Sequence, residues 1–176
     1  MMRILKNIWD FLFFHLPRFI KNLWKFKGVL YNHYPYDYQS ILYFLQVALK
    51  DISDHCEKHG YEVDVTRIKK VKKMRRAVEI IENINEDKYH ELAEKELGKI
   101  PERLMLKIYQ NRISREDRTQ EEADHIKAVY ERAIALEIDE WNELMEILKG
   151  QDYSKFDRNK DFYEPFDGSG LRTWWD

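Results

Sequence analysis

The sequence contains few of the residues that break, bend or cross-link a chain. It has six glycines, four prolines and a single cysteine, Cys56, among 176 residues. An all-β chain needs a turn about every ten residues, so this shortage argues against one and predicts few, long elements. The lone cysteine excludes a disulfide within the chain. With no cleavable signal peptide visible, we expect a cytoplasmic location.

Long apolar runs and catalytic motifs are also missing. Near the start, where Ile, Leu, Phe and Trp are frequent, the longest stretch without a formal charge extends only from Phe11 to Pro17. A transmembrane helix needs about 20 apolar residues, so this stretch is too short to span a bilayer. The chain contains no nucleophile elbow, phosphate-binding glycine-rich loop, dinucleotide fingerprint or zinc-protease motif. The sequence therefore offers no catalytic residues, and we expect no cofactor.

Charge, by contrast, is abundant, at 35% of residues against about 25% in typical domains. It is also unevenly distributed. Residues 1–30 carry six Lys or Arg and one Asp, a charge of +5, which leaves −7 for the rest of a chain whose net charge is −2. We expect a basic aromatic helical arm at 1–31, a charged helical body at 32–150 and an irregular aromatic tail at 151–176, forming one folded unit.

Apolar residues recur at the helical spacings of three and four through most of the body. One stripe extends from Tyr38 to Cys56, a second from Ile68 to Ile81 and a third from Ala123 to Leu148. Each stripe must be buried, and the connections between them are short. The pattern predicts an all-α fold, an irregular helical bundle of five or six helices with a long helical hairpin and an irregular C-terminal tail.

Residues typical of helix ends flank these stripes. Asp37 can cap the first helix of the body, and Thr119 with Glu122 matches the capping-box pattern. Pro17 should bend or divide the helix of the arm. Left-handed glycine stops are expected just beyond three helix ends, at Gly60, Gly98 and Gly150.

The densest charge lies between Arg67 and Arg76, where seven of ten residues are basic. If Ile68, Val71 and Met74 anchor this helix, a row of cations should point away from the core and bind phosphates, acidic protein or anionic lipid. The alternative is a face that is solvated or paired with acidic residues of the chain itself. The predicted binding residues are Lys69, Lys70, Lys73 and Arg76.

Two pairs of tryptophans are candidate interface residues. Trp9 and Trp24 occupy equivalent places in a short near-repeat, fifteen residues apart, in the basic arm. The arm could lie on an anionic membrane, dock on a partner or close the bundle. Trp174 and Trp175 could anchor a partner or merely fasten the tail to its own core.

A weaker possibility is a metal site at His55 and His59, which are four residues apart on one predicted helix, with Cys56 beside them. A zinc site needs three or four convergent ligands, so a second element would have to supply the rest. Histidines near the negative end of a helix dipole explain the spacing equally well. We therefore expect no metal.

Four segments stand out: the Lys/Trp/Phe-rich start, the stretch from Lys70 to Ala77, the stretch from Ala93 to Gly98, and Asp167 to Arg172 followed by Trp174, Trp175 and Asp176. Together they give the chain a resemblance to uncharacterised small helical proteins of tailed bacteriophages. The resemblance implies no known activity and supplies no catalytic residues. It favours a non-catalytic accessory protein in the host cytoplasm that binds a host factor or small anionic ligand, with counter-defence as one such role.

Alternatives are a virion or assembly component, a protein that binds nucleic acid or a membrane surface, and an unrecognised enzyme. The partner would be a host or phage protein, an anionic ligand or, in a homo-oligomer, a second copy.

Overall fold

The computed structural model describes residues 6, 9–34, 37–60, 62–110, 114, 117–152 and 166–175, with only the backbone of Tyr109 and Trp175. These residues form helices and no strands, which confirms the predicted all-α class. A π-helix at Phe11–His15 precedes the first α-helix, and a 3-10 helix at Leu171–Trp175 ends the described part of the tail. The α-helices are α1 (Leu16–Asn32), α2 (Tyr38–His59), α3 (Asp64–Asn85), α4 (Tyr89–Leu97), α5 (Glu102–Tyr109) and α6 (Gln120–Lys149).

The predicted long hairpin is formed by α2 and α3, each of 22 residues, joined by the connection at 60–63. The 30-residue helix α6 packs against α3 and α4. Buried side chains from these helices make one core, which covers the apolar stripe of each. Its fully enclosed members include Leu49 from α2, Met74 and Ile81 from α3, and Val129 and Leu144 from α6.

Most helix ends follow the sequence prediction. The Asp37 carboxylate accepts a hydrogen bond of 3.0 Å from the Gln39 amide, and Thr119 and Glu122 form the predicted capping box. Gly98 and Gly150 adopt positive φ angles of 104° and 74°. Gly60 does not, since its φ is −63°, so the predicted left-handed stop is wrong there. Glycine is needed at that position for space, because a Cβ atom would lie 2.5 Å from the Cys56 carbonyl oxygen.

Near Pro17 the helix of the arm changes from a π-helix to an α-helix. Pro17 lies in the first turn of α1, where its missing N–H group costs little. In the preceding π-helix, the Leu16 amide donates to the carbonyl of Phe11, five residues back. A π-helical turn is wider than an α-helical one, which accommodates a proline ring that would crowd the carbonyl of an ordinary α-turn. The helical path continues on both sides of Pro17.

The end of the tail folds back onto the body. Trp174 is 3% exposed, and its indole N–H donates a 2.8 Å hydrogen bond to the carbonyl of Gly168. The Gly170 amide donates to the carbonyl of Ile147 at the end of α6. Of the two roles that the sequence left open for Trp174, the burial of its side chain favours fastening the tail to the protein's own core over anchoring a partner. The side chain of Trp175 lies outside the described residues.

None of the helices in the described ranges combines the length and the apolar character needed to cross a bilayer.

Candidate anion-binding groove

The face that α3 buries differs from the one that its sequence predicts. Val71 and Met74 are buried as expected, whereas Ile68 is 63% exposed and Lys70 is 7% exposed. Neighbours on both sides, α2 and α6, cover α3, so the buried arc is wider than a single stripe and is centred near Ala77. The predictions that Ile68 anchors the helix and that Lys70 points outward are therefore wrong.

A groove follows the uncovered side of α3. Its volume is about 1000 Å³, and its walls come from the end of α2, from α6 and from the tail. Six of its side chains are basic and four are acidic, an excess of two positive charges over the walls. Ile68, Val71 and Phe166 supply the apolar part of the lining. We call this concavity the α3 groove; its charged residues are Arg67, Lys69, Lys72, Lys73, Arg75, Arg76, Glu57, Glu79, Glu143 and Asp167.

Arg76, one of the four predicted binding residues, is held by carboxylates of the protein itself. Its guanidinium donates to Glu143 at 2.7 and 3.0 Å and to Glu140 at 2.8 Å, both on α6, and lies 3.1 Å from Glu79. The hydrogen bond from Arg76 holds the pKa of Glu143 below its ordinary value. Arg76 thus joins α3 to α6, and its charge is largely neutralised at the wall of the groove.

The charge network continues below the groove into the core. Glu140 also accepts hydrogen bonds from the Asn83 amide at 3.0 Å and from the Tyr89 hydroxyl at 3.1 Å. Burial, together with the nearby charge of Glu140, raises the pKa of Tyr89, so that this phenol remains a neutral donor. Three helices therefore share a single carboxylate, and its role is to fix α3, α4 and α6 relative to one another.

The other three predicted cations differ in how closely they are paired and how deeply they are buried. Lys70 is paired with Glu62 at 2.6 Å and is removed from solvent. Lys73 is half-buried and lies 4.0 Å from Asp167 of the tail, the longest of these ion pairs. Lys69 is half-buried in the groove wall, where it too interacts with other residues. Of the four predicted residues, Lys69 and Lys73 therefore line the groove without being enclosed by the core.

Lys72 is the residue that the sequence prediction missed. It is exposed in the α3 groove and, among the described residues, has no ion pair. Arg75, one turn further along, is paired with Glu57 at 2.6 Å. A signal was present in the sequence, because Ile68, Lys72, Arg75 and Glu79 follow the spacing of one helical face. That face is the one α3 turns to solvent.

The other predicted sites lie away from this groove. Trp9 and Trp24 of the arm are 60% and 65% exposed. The rings of His55 and His59 are 5.2 Å apart, but within the described part of the chain no three His, Cys, Asp or Glu side chains are placed to hold a metal ion. Burial raises the pKa of the Cys56 thiol, and the charge of Glu62 raises it further, which disfavours a reactive thiolate.

The arrangement of the α3 groove suits the binding of an anion better than the transfer of a proton. Its volume is in the range of ligand sites, and its lysines offer mobile donors beside an apolar floor. Two of its carboxylates, Glu79 and Glu143, are engaged by Arg76, and Glu57 is engaged by Arg75. In comparisons with known proteins, no family model, no curated protein and no solved structure matches this chain.

Proposed function

We propose that this chain is a non-catalytic binding protein that takes an anionic partner into the α3 groove. The observation that carries the proposal is the exposed, unpaired charge of Lys72 beside the weakly paired Lys73, among the described residues of an open groove with net positive charge. Bringing an anion to these two lysines breaks no short ion pair. The apolar side chain of Ile68 next to them adds contact area for a ligand that is not purely ionic.

Binding is favoured over catalysis by the state of the acidic side chains. A general acid needs a raised pKa at neutral pH, whereas the pKa of Glu143 is lowered by its bond from Arg76. A nucleophilic thiol needs a lowered pKa, whereas that of Cys56 is raised. Glu143, held by Arg76, is suited to keeping the wall of the groove in place.

The resemblance to small phage proteins supports an accessory role for this binding. In that role the partner is a host factor or a small anionic ligand, and counter-defence is the process that such a protein would serve. The volume of the groove, about 1000 Å³, fits a small phosphorylated ligand or an acidic segment of a protein.

The proposal is tested with the double variant Lys72→Gln and Lys73→Gln. Lys72 is exposed and Lys73 is only weakly paired, so the substitutions should leave folding intact and remove two charges from the groove. The matched control is Lys95→Gln with Lys99→Gln, which removes the same charge from exposed positions outside the groove. Partners captured from a bacterial lysate, with and without nuclease, are compared for the wild type and both variants.

We expect the groove variant to lose a partner that the control retains. If the partner is nucleic acid, nuclease removes it, and an oligonucleotide titration should give a salt slope lower by about 2 in the groove variant, one for each lysine. A groove variant that keeps every partner of the wild type at unchanged affinity would rule out the α3 groove as the binding surface.

A further inference from the structure

Exposed large apolar side chains are concentrated in the arm. Between Trp9 and Leu30, ten large apolar side chains are at least 46% exposed, and none of the residues of the π-helix or of α1 is buried. Isolated exposed apolar residues are ordinary in proteins, but a continuous apolar surface of this kind marks a binding site.

The exposed apolar residues that belong to α1 lie on one side of that helix. At 100° per residue, Phe19, Leu23 and Leu30 fall on one face, with Trp24 at its edge. The cations follow the opposite face, where Arg18, Lys21 and Lys25 lie. Lys27 is the exception on the apolar side, and its ammonium group folds to 4.4 Å from the centre of the Trp24 ring. A long lysine side chain placed in this way keeps its charge at the rim of an apolar face.

The body holds α1 by its polar side and its flank. Lys25 forms an ion pair with Asp51 of α2, and the Phe26 ring stacks on Phe44 of α2 with centroids 5.9 Å apart. Phe26 lies at one edge of the apolar face, where Phe19, Leu23 and Leu30 line a shallow apolar hollow of about 290 Å³ together with Phe44. The face is nevertheless open to solvent, because Phe19, Ile20, Leu23 and Trp24 are each at least 46% exposed.

We propose that the arm binds flat on the surface of an anionic lipid bilayer, with its apolar face in the interface and its cations near the headgroups. Tryptophan and phenylalanine on one face and Lys or Arg on the other are the composition of interfacial helices. The charge of +5 over residues 1–30 is complementary to anionic lipid. The same charge repels a second arm, so a symmetric contact between two copies is disfavoured.

The test is flotation of the full-length protein with vesicles of phosphatidylcholine alone and with vesicles that also contain phosphatidylglycerol. The arm variant carries Phe19→Gln, Leu23→Gln and Trp24→Gln. All three positions are exposed, and glutamine is a good helix former. The matched control carries Ile134→Gln, Ile138→Gln and Met145→Gln on α6, three side chains that are 54–59% exposed. A third variant, Arg18→Gln with Lys21→Gln, removes charge alone.

We expect the wild type and the α6 control to float with the anionic vesicles, and the arm variant to bind at least roughly 100-fold more weakly because three apolar side chains no longer enter the interface. The charge variant should lose roughly 20-fold on anionic vesicles. The Lys72→Gln, Lys73→Gln variant should float like the wild type, which separates this proposal from that for the α3 groove.

Two kinds of result would overturn the proposal. One is a flotation result: either the wild type does not float with anionic vesicles at low salt, or the arm variant floats as well as the wild type. The other is light scattering that shows a dimer of the wild type in the absence of lipid and a monomer of the arm variant, because the occupant of the apolar face would then be a second copy.

Discussion

The Nζ atom of Lys70 lies 2.6 Å from Oε1 of Glu62, and only 8% of the lysine side chain is exposed. The pair crosses from the buried side of α3 to the short connection between α2 and α3. A lysine in this position loses most of its hydration, and the carboxylate is the group that compensates for the loss. The contact therefore fixes the position of the connection and compensates for the buried charge of Lys70.

Replacing Glu62 with Gln should lower the free energy of unfolding by about 3 kcal/mol, because Lys70 would remain buried without an opposite charge. Adding Lys70→Met to the same variant should recover most of the loss, since an apolar side chain of similar length fills the same space. Urea unfolding of both variants measures this. Equal stability of the wild type and the Glu62→Gln variant would show that Lys70 reaches water by another route.

Gly168 should tolerate no larger residue. A Cβ atom there would lie 2.3 Å from the carbonyl carbon and oxygen of Lys69, and the φ angle of 88° is itself unfavourable for other residues. We expect Gly168→Ala to detach the tail and lower the free energy of unfolding by more than about 2 kcal/mol. Tryptophan fluorescence should shift to the red as Trp174 is exposed.

The control for this change is Gly28→Ala, in α1, where a Cβ atom meets nothing within 4 Å. Alanine is the better helix former by about 1 kcal/mol, so this substitution should stabilise the protein or leave it unchanged. Comparable losses in the two glycine variants would contradict the close contact between the tail and α3.

The hydrogen bond between Arg76 and Glu143 should make the stability of the fold depend on pH. Because this hydrogen bond lowers the pKa of Glu143 in the folded state, the bond stabilises the fold above the ordinary glutamate pKa of about 4.3. That contribution is lost as the pH falls through the lowered pKa. Arg76→Gln should cost about 2 kcal/mol at pH 7, with the share due to the half-exposed Glu143 being about 1 kcal/mol or less.

The measurement is the difference in unfolding free energy between the wild type and Arg76→Gln at neutral pH and near pH 3. We expect the difference to shrink in acid, because Glu143 is then increasingly protonated in both proteins. A difference that stays constant or grows in acid would mean that Arg76 acts through packing and not through its carboxylates.

The capping box at the start of α6 should be worth a measurable amount. The Thr119 side chain accepts a hydrogen bond from the Glu122 amide at 3.2 Å, and the Glu122 carboxylate accepts one from the Thr119 amide at 3.0 Å. Thr119→Ala should cost about 1 kcal/mol. Thr119→Ser keeps the accepting hydroxyl and should cost clearly less, and thermal unfolding distinguishes the two.

Local features of the fold could be predicted because their causes lie within a few residues. The stripe from Tyr38 to Cys56 and the capping by Asp37 depend on helix geometry and on one side chain near a free amide. The prediction failed at Gly60, where the requirement for glycine comes from the Cys56 carbonyl and the Arg67 side chain and not from the φ angle. The Cys56 carbonyl belongs to the same helix end, but the Arg67 side chain reaches Gly60 only because α2 and α3 lie side by side.

The sequence by itself determined that the chain forms helices, where most of them begin and end, and that its cations are concentrated in the arm and in α3. Only the tertiary structure decided which of those cations meet solvent. The reason is that α2 and α6 cover α3 from two sides, which turns Lys70 inward and leaves Lys72 outside, although both lie in the same basic run. The role of the tail was also decided by the tertiary structure. Trp174 could be assigned to the core only because Gly168 packs against α3 and brings the tail onto the body.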